Sequence, residues 1–169
     1  MSSIGRPARR DDPDDVFAEF FGGERHADTG ERYLVELESL VVAIFKRCEG
    51  LTARRQVIEV QEGGREKPVK RLGPYAEGAF TLLEGEADGP DIFRWYERGR
   101  EADHMASSRR SGSVILVDRR GLEVARWKFR HAMVSGWDGP TEAPDPAEPY
   151  AIGRLEVTHE GLEMVIHDR

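Results

Sequence analysis

The stretch from Ser111 to Pro140, SGSVILVDRRGLEVARWKFRHAMVSGWDGP, constrains the fold most, because it joins a period-two pattern to a clear turn. Val114-Ile115-Leu116-Val117 is a short apolar run rich in β-branched residues, the composition that strands favour. Asp118-Arg119-Arg120-Gly121 follows, with Asp first and Gly fourth, where a type I turn prefers them. From Ala125 the chain alternates: Ala125, Trp127 and Phe129 share one face, and Arg126, Lys128 and Arg130 the other. One face is then expected in a core and the other wet or paired. The stretch predicts a β-hairpin with a sheet centred on it.

The rest of the chain supplies more strands. Tyr33-Leu34-Val35-Glu36-Leu37 and Leu40-Val41-Val42-Ala43-Ile44-Phe45 flank Glu38-Ser39, which suits a tight connection. Val57-Ile58-Glu59-Val60 leads into a charged crest, Gln61 to Pro68, and returns through Val69; within the crest Gly63-Gly64 marks a turn with unusual dihedrals. Ala79 to Leu83 reads as a strand, and Ile152 to Thr158 alternates with Leu155 and Val157 inward. Gly161 interrupts before a last strand over Leu162-Glu163-Met164-Val165-Ile166. One helix is expected, capped by Asp88 and Asp91 with Pro90 in its first turn, placing Ile92, Trp95 and Tyr96 on one face. Prolines 140, 144, 146 and 149 exclude a central strand and leave an acidic loop. These patterns predict a mainly β fold, a small antiparallel barrel or sandwich of about seven or eight strands with one packed α-helix and an extended hairpin.

Residues 1–30 read as an extension ahead of a domain over 31–169. Arg6, Arg9 and Arg10 precede Asp11, Asp12, Asp14 and Asp15, and the apolar residues Val16, Phe17, Phe20 and Phe21 come next. Those four fall on one face of a short helix, with the aspartates at its positive end and Gly22 as C-cap. Two readings are open: a largely disordered arm, since helices this short are marginal alone, or a docking helix.

Charge and composition exclude several functions. The chain has 169 residues, enough for one domain without a disulfide or metal. Its net charge of -7 argues against nucleic-acid binding, which draws on clustered Lys and Arg. No apolar run approaches the roughly 18 residues of a membrane span. The first residues lack the apolar core of a secretory signal, so the cytoplasm is the expected location. Cys48 has no cysteine to pair with and no zinc-site spacing, and reads as a small structural residue. His26, His104, His131, His159 and His167 are scattered; His159-Glu160, as strand neighbours, would point to opposite faces. Around Gly63-Gly64 the phosphate-loop and dinucleotide spacings are absent, and Ser111-Gly112-Ser113 lacks the nucleophile elbow. No catalytic residue, metal ligand or cofactor site is predicted.

The motifs also resemble a known family. The Gly112-Ser113 step, the Asp118–Gly121 turn, the Glu123-to-Arg130 strand and the Trp137-x-Gly139-Pro140 exit resemble the tail-tube proteins of contractile phages and phage-tail-like contractile injection systems. Cys48-Glu49-Gly50-Leu51, Glu62-Gly63-Gly64, the Ile92, Trp95 and Tyr96 helix, and the closing segment Leu155 to Glu163 continue the resemblance in order. Three departures are Glu38-Ser39 in place of Asp-Gly, bulky Ile44 where a small residue is common, and Leu83-Glu84 in place of a basic pair. The resemblance implies a structural subunit, not an enzyme, whose homohexameric rings stack into an inner tube with cargo in the lumen and no cofactor. Sheath, baseplate or spike and tube-terminator proteins are the implied partners. It implies that Glu62, Gly63 and Gly64 belong to a hairpin reaching neighbouring subunits, and the mixed charges and two glycines of the crest Glu62, Gly63, Gly64, Arg65, Glu66 and Lys67 suit an exposed tip that settles only against a partner. The long arm and the lost basic pair also fit a specialised tube-initiator ring, and a monomeric ligand-binding β-barrel is the alternative from another class.

Overall fold

The computed structural model describes residues 30–100, 108–141 and 150–166. They form β1 (Arg32–Leu37), β2 (Leu40–Glu49), β3 (Arg55–Val60), β4 (Val69–Tyr75), β5 (Gly78–Ala87), α1 (Asp91–Arg100), β6 (Arg110–Val117), β7 (Glu123–Asp138), β8 (Ala151–His159) and β9 (Gly161–Met164). The main sheet runs β6-β1-β2-β5-β8-β7, and β6 also pairs with β7, so six strands close into a barrel. β9 continues along β7 beyond β8, with Trp127 opposite Met164 and Arg130 opposite Gly161. β3 and β4 pair only with each other.

The central hairpin forms as its sequence predicts. The Gly121 amide donates to the Asp118 carbonyl at 3.0 Å, and one Asp118 carboxylate oxygen accepts from the amides of Arg120 and Leu122 at 2.8 and 3.0 Å. The return strand departs from simple alternation. Phe129 is buried, but the next buried residues are Ala132 and Val134, because His131 takes a φ of 48° and the register against β6 skips between Gly112 and Arg110. One extra residue in a strand re-aims every side chain after it. Gly112 sits opposite this bulge, where a Cβ would run into the Glu36 carbonyl and come 2.8 Å from the Phe129 ring. Only glycine allows that approach of backbone to ring.

The barrel interior is filled by side chains. Phe45, Phe80, Leu82, Phe129, Leu155 and Val157 are completely buried, each worth about 1.5–3 kcal/mol of transfer from water. α1 lies against it: Ile92 and Trp95 are buried, the Trp95 indole donates to the Ser108 carbonyl at 2.7 Å, and its ring stacks on Phe129 with centroids 6.3 Å apart. Phe93 meets Trp137 edge-on at 5.0 Å. Leu155 and Val157 face inward as predicted, whereas the last strand stops short of its expected end. β9 ends at Met164; the Val165 amide still donates to the Arg126 carbonyl at 2.8 Å, but Ile166 is 82% exposed.

The continuous apolar run of β2 is explained by burial on two sides. Ala43 and Phe45 enter the core, while Ile44 joins Leu34, Ile115 and Val117 in a separate buried cluster. A bulky residue therefore has a packing role at position 44.

Glu38 and Ser39 connect β1 to β2 with φ values of 50° and 70°, the left-handed pair of a type I′ hairpin turn, for which Asn-Gly is preferred. Holding non-glycine residues in that region costs roughly 1–2 kcal/mol each. The double substitution Glu38→Asn, Ser39→Gly should therefore raise unfolding stability by about 1 kcal/mol, seen as a higher urea midpoint at unchanged slope; an unchanged midpoint would show the turn to be unstrained.

Candidate functional site

The β3–β4 hairpin is the part of the described chain that packs least on the rest. Every residue of β3 except Val60 is exposed. Val57 and Leu72 are 60% and 63% exposed, although both are apolar, and Ile58 is also exposed. An isolated two-stranded ribbon is marginal in water, so its position depends on its root and on whatever it meets.

The root is built around Tyr75. Its hydroxyl donates to the Glu163 carboxylate on β9 at 2.9 Å, and the Arg55 and Arg130 guanidinium groups lie 5.5 and 5.7 Å from its ring centre. Cations over an aromatic face are attracted by its quadrupole, roughly 0.5–1 kcal/mol at an exposed site. The Ala76 amide donates to the Arg54 carbonyl at 2.8 Å, and the Arg55 side chain donates to the Gly73 carbonyl at 3.0 Å. Neighbours from β7 and β9 thus fix the angle at which the hairpin leaves the barrel.

The structure gathers the crest residues Glu62 to Lys67 at the hairpin tip, as predicted. The tip carries its own order, with the Arg65 amide donating to the Glu62 carbonyl at 3.2 Å, Gln61 donating to the Arg65 carbonyl at 2.9 Å, and Gly64 at a φ of 90°. Glu62 pairs with Arg71 at 2.8 Å, tying tip to stem. These contacts tie the turn together within the chain. The cluster Val16, Phe17, Phe20 and Phe21 lies outside the described residues, as do His26, His104 and His167. Sequence reasoning missed the root residues Tyr75, Arg130 and Glu163, which stand far apart in the chain. It also missed exposed Val57 and Leu72, since an apolar residue in a strand reads as core.

Of the remaining titratable groups among the described residues, His159 and Cys48 stand apart from one another. His159 is 2% exposed, its ring stacks on Phe80 at 5.9 Å, and neither nitrogen has a hydrogen-bond partner among the described residues. Burial lowers its pKa below 6.5. Glu160 is turned to an ion pair with Arg109 at 2.7 Å. Burial pushes the Cys48 thiol up to about 12, which leaves it an unreactive thiol at neutral pH. No group of three or more His, Cys, Asp or Glu among the described residues is placed to hold a metal ion. Glu84, in place of the second member of a basic pair, binds Arg47 at 2.7 Å.

A closed barrel with a filled interior, one packed helix and a projecting hairpin defines the class of small antiparallel β-barrel subunits with an extended arm. The comparison with family models is more particular. Residues 30–163 match the T4-like virus tail tube protein gp19, and the chain belongs to that family of structural tail-tube proteins of phage tails and contractile injection systems. Among solved structures, the chain is similar to one from an extracellular contractile injection system, the PVC sheath-tube complex in its extended state, at 14% identity and a TM-score of 0.52. That match covers 90% of this chain and 97% of the other. It is likewise similar to the tube-terminating cap of the anti-feeding prophage, at 16% identity and a TM-score of 0.53 over 80% of this chain and 88% of that one. At these identities the structures speak for the fold. No curated protein sequence matches.

Two predictions follow from this geometry. A histidine held neutral in the fold but free to protonate when unfolded makes stability complete above about pH 6.5 and progressively lost below it. Replacement of His159 by Phe should flatten that acid slope in thermal melts, and an unaltered slope would assign it to other groups. Tyr75→Ala should speed amide exchange over Arg55–Tyr75 while leaving β1, β2 and β8 protected; uniform protection would mean that the root does not hold the hairpin.

Proposed function

We propose that this chain is a subunit of the inner tube of a contractile phage tail or phage-tail-like injection system, whose copies form hexameric rings that stack into a conduit for cargo. The exposed hairpin carries the reading. Its apolar Val57 and Leu72 are costly to leave in water and suit burial against another copy, with the charged crest Glu62 to Lys67 at the polar rim of the contact. A closed cyclic ring gives every hairpin an equivalent partner, and stacking repeats the contact along the tube. Among the described residues, Phe45, Phe80, Leu82, Phe129, Leu155 and Val157 fill the barrel interior, which speaks against the monomeric ligand-binding barrel.

Residues 31–169 form the tube domain in this proposal and 1–30 an extension, a division supported by a family match that begins at residue 30. Sheath, baseplate or spike, and terminator proteins are the proposed partners. Support comes from the sheath-tube complex above and from a similar chain in a sheath/tube terminator structure, at 17% identity and a TM-score of 0.50 over 80% of this chain and 94% of that one. The subunit works as a structural element without a cofactor and waits in the cytoplasm until it joins the particle. Among the described residues, no helix is long and apolar enough to cross a membrane.

Electron microscopy of the purified full chain at high concentration and low salt should show rings or tubes. Deletion of Gly63 to Lys67 should leave β-rich circular dichroism intact and abolish tubes. Normal tubes from the deletion would retire the crest as a contact, whereas single subunits from the parent would retire the tube reading itself.

A further inference from the structure

The sheet carries an apolar stripe on the face turned away from the core. Leu34 stands opposite Ile44 on one side and Ile115 on the other, in register across β2, β1 and β6, with Val117 close by. These four are only 2–5% exposed. Side chains on the outward face of a sheet are not covered to that degree by their own row, since that face normally meets water. Half-buried Val41 is the one further apolar neighbour packed on the cluster among the described residues. The Arg126 side chain crosses β6 to reach Glu36 on β1 at 3.0 Å and covers one end of the stripe, and the rest needs a further cover.

We infer that the cover is this chain's own N-terminal segment, with Val16, Phe17, Phe20 and Phe21 laid over the stripe of the same subunit. Chemistry selects the segment. Residues 142–149 read EAPDPAEP and residues 167–169 read HDR, neither with a large apolar side chain, and residues 101–107 offer Met105 alone. The segment ahead of β1 offers three phenylalanines and a valine on one helical face. Its reach suffices, because β1 is the middle strand of the stripe. The ten residues between Phe21 and Arg32 can span about 33 Å when extended, against roughly 10 Å from β2 to β6.

Charge points the same way. The stripe is bordered by cations: Arg126 stands opposite Ile115, Lys128 opposite Ser113, and Arg32 opposite Val117. Asp11, Asp12, Asp14 and Asp15 immediately precede the apolar cluster, so docking of the phenylalanines brings four carboxylates to a basic border. Arg126 is already shared between Glu36 at 3.0 Å and Glu123 at 2.9 Å, which leaves Lys128 as the nearer claimant for the aspartates. The inference concerns the single subunit and stands apart from the ring proposal.

Disulfide trapping tests it. In full-length Cys48→Ser protein, Phe20→Cys combined with Ile115→Cys should form, under diamide, an intramolecular bond read as a faster-migrating subunit of unchanged oligomeric mass. Covalent dimers in place of that species would show the segment docking on a neighbour and overturn the inference, and so would free thiols in a folded protein. If the double variant fails to fold, deletion of residues 1–22 decides. It should uncover the stripe and raise fluorescence of the apolar dye ANS, with barrel circular dichroism retained. ANS fluorescence equal to that of the full chain would overturn the inference independently of whether tubes form.

Discussion

Closure of the barrel rests on β7, whose 16 residues bond to three other strands. One edge meets β6 from Glu123 to Ala132, and the other meets β9 and then β8. An open sheet of this size would leave two rows of unpaired backbone groups. Pairing β6 to β7 through a five-residue connection removes both at once. The same strand supplies Phe129 to the core, where Phe80 and Trp95 pack against it. It also supplies Arg130 to the root of the hairpin. Loss of closure would therefore remove the helix seat and the hairpin anchor together.

Because the barrel satisfies itself, the hairpin is free to serve outward contacts. A subunit with all its apolar surface buried would have little to drive assembly, and one with a large loose patch would aggregate. β3 and β4 lie between these limits. They expose a few large apolar side chains on a ribbon whose direction is set by Tyr75 and whose tip is tied by Glu62 and Arg71. Fixing the ribbon beforehand lowers the ordering cost of each contact, which is how a modest interface gains affinity.

Much of this was legible because local and global signals agree. The Asp118–Gly121 turn, the capped helix with Ile92 and Trp95, and the inward Leu155 and Val157 each follow from spacing that only one element satisfies. The bulge at His131 was not legible, since nothing in Phe129-Arg130-His131-Ala132 marks which residue takes a positive φ. Ile166 illustrates another limit. Apolar content extends a predicted strand, yet β9 leaves the ladder after Met164 although β7 runs on to Glu123. For the proposed contact surface, the glycines and charges of the crest marked the hairpin tip. Its root was hidden because it joins β4, β7 and β9 across the chain.

Ile44 ties these observations together. Alternation fails in Val41-Val42-Ala43-Ile44-Phe45, and in an antiparallel barrel an unbroken apolar run means that both faces of the strand are dry. Val114-Ile115-Leu116-Val117 repeats the signal on β6, and β1 supplies Leu34 between them. The core accounts for Ala43, Phe45, Val114 and Val35. The outward members, Ile44, Ile115 and Leu34, are as buried as the core residues, yet they lie on the side a barrel usually gives to water. A small residue at position 44 would leave a shallow, wettable surface there. Isoleucine instead gives the chain a second apolar layer on the outside of the barrel wall, beside Leu34, Ile115 and Val117.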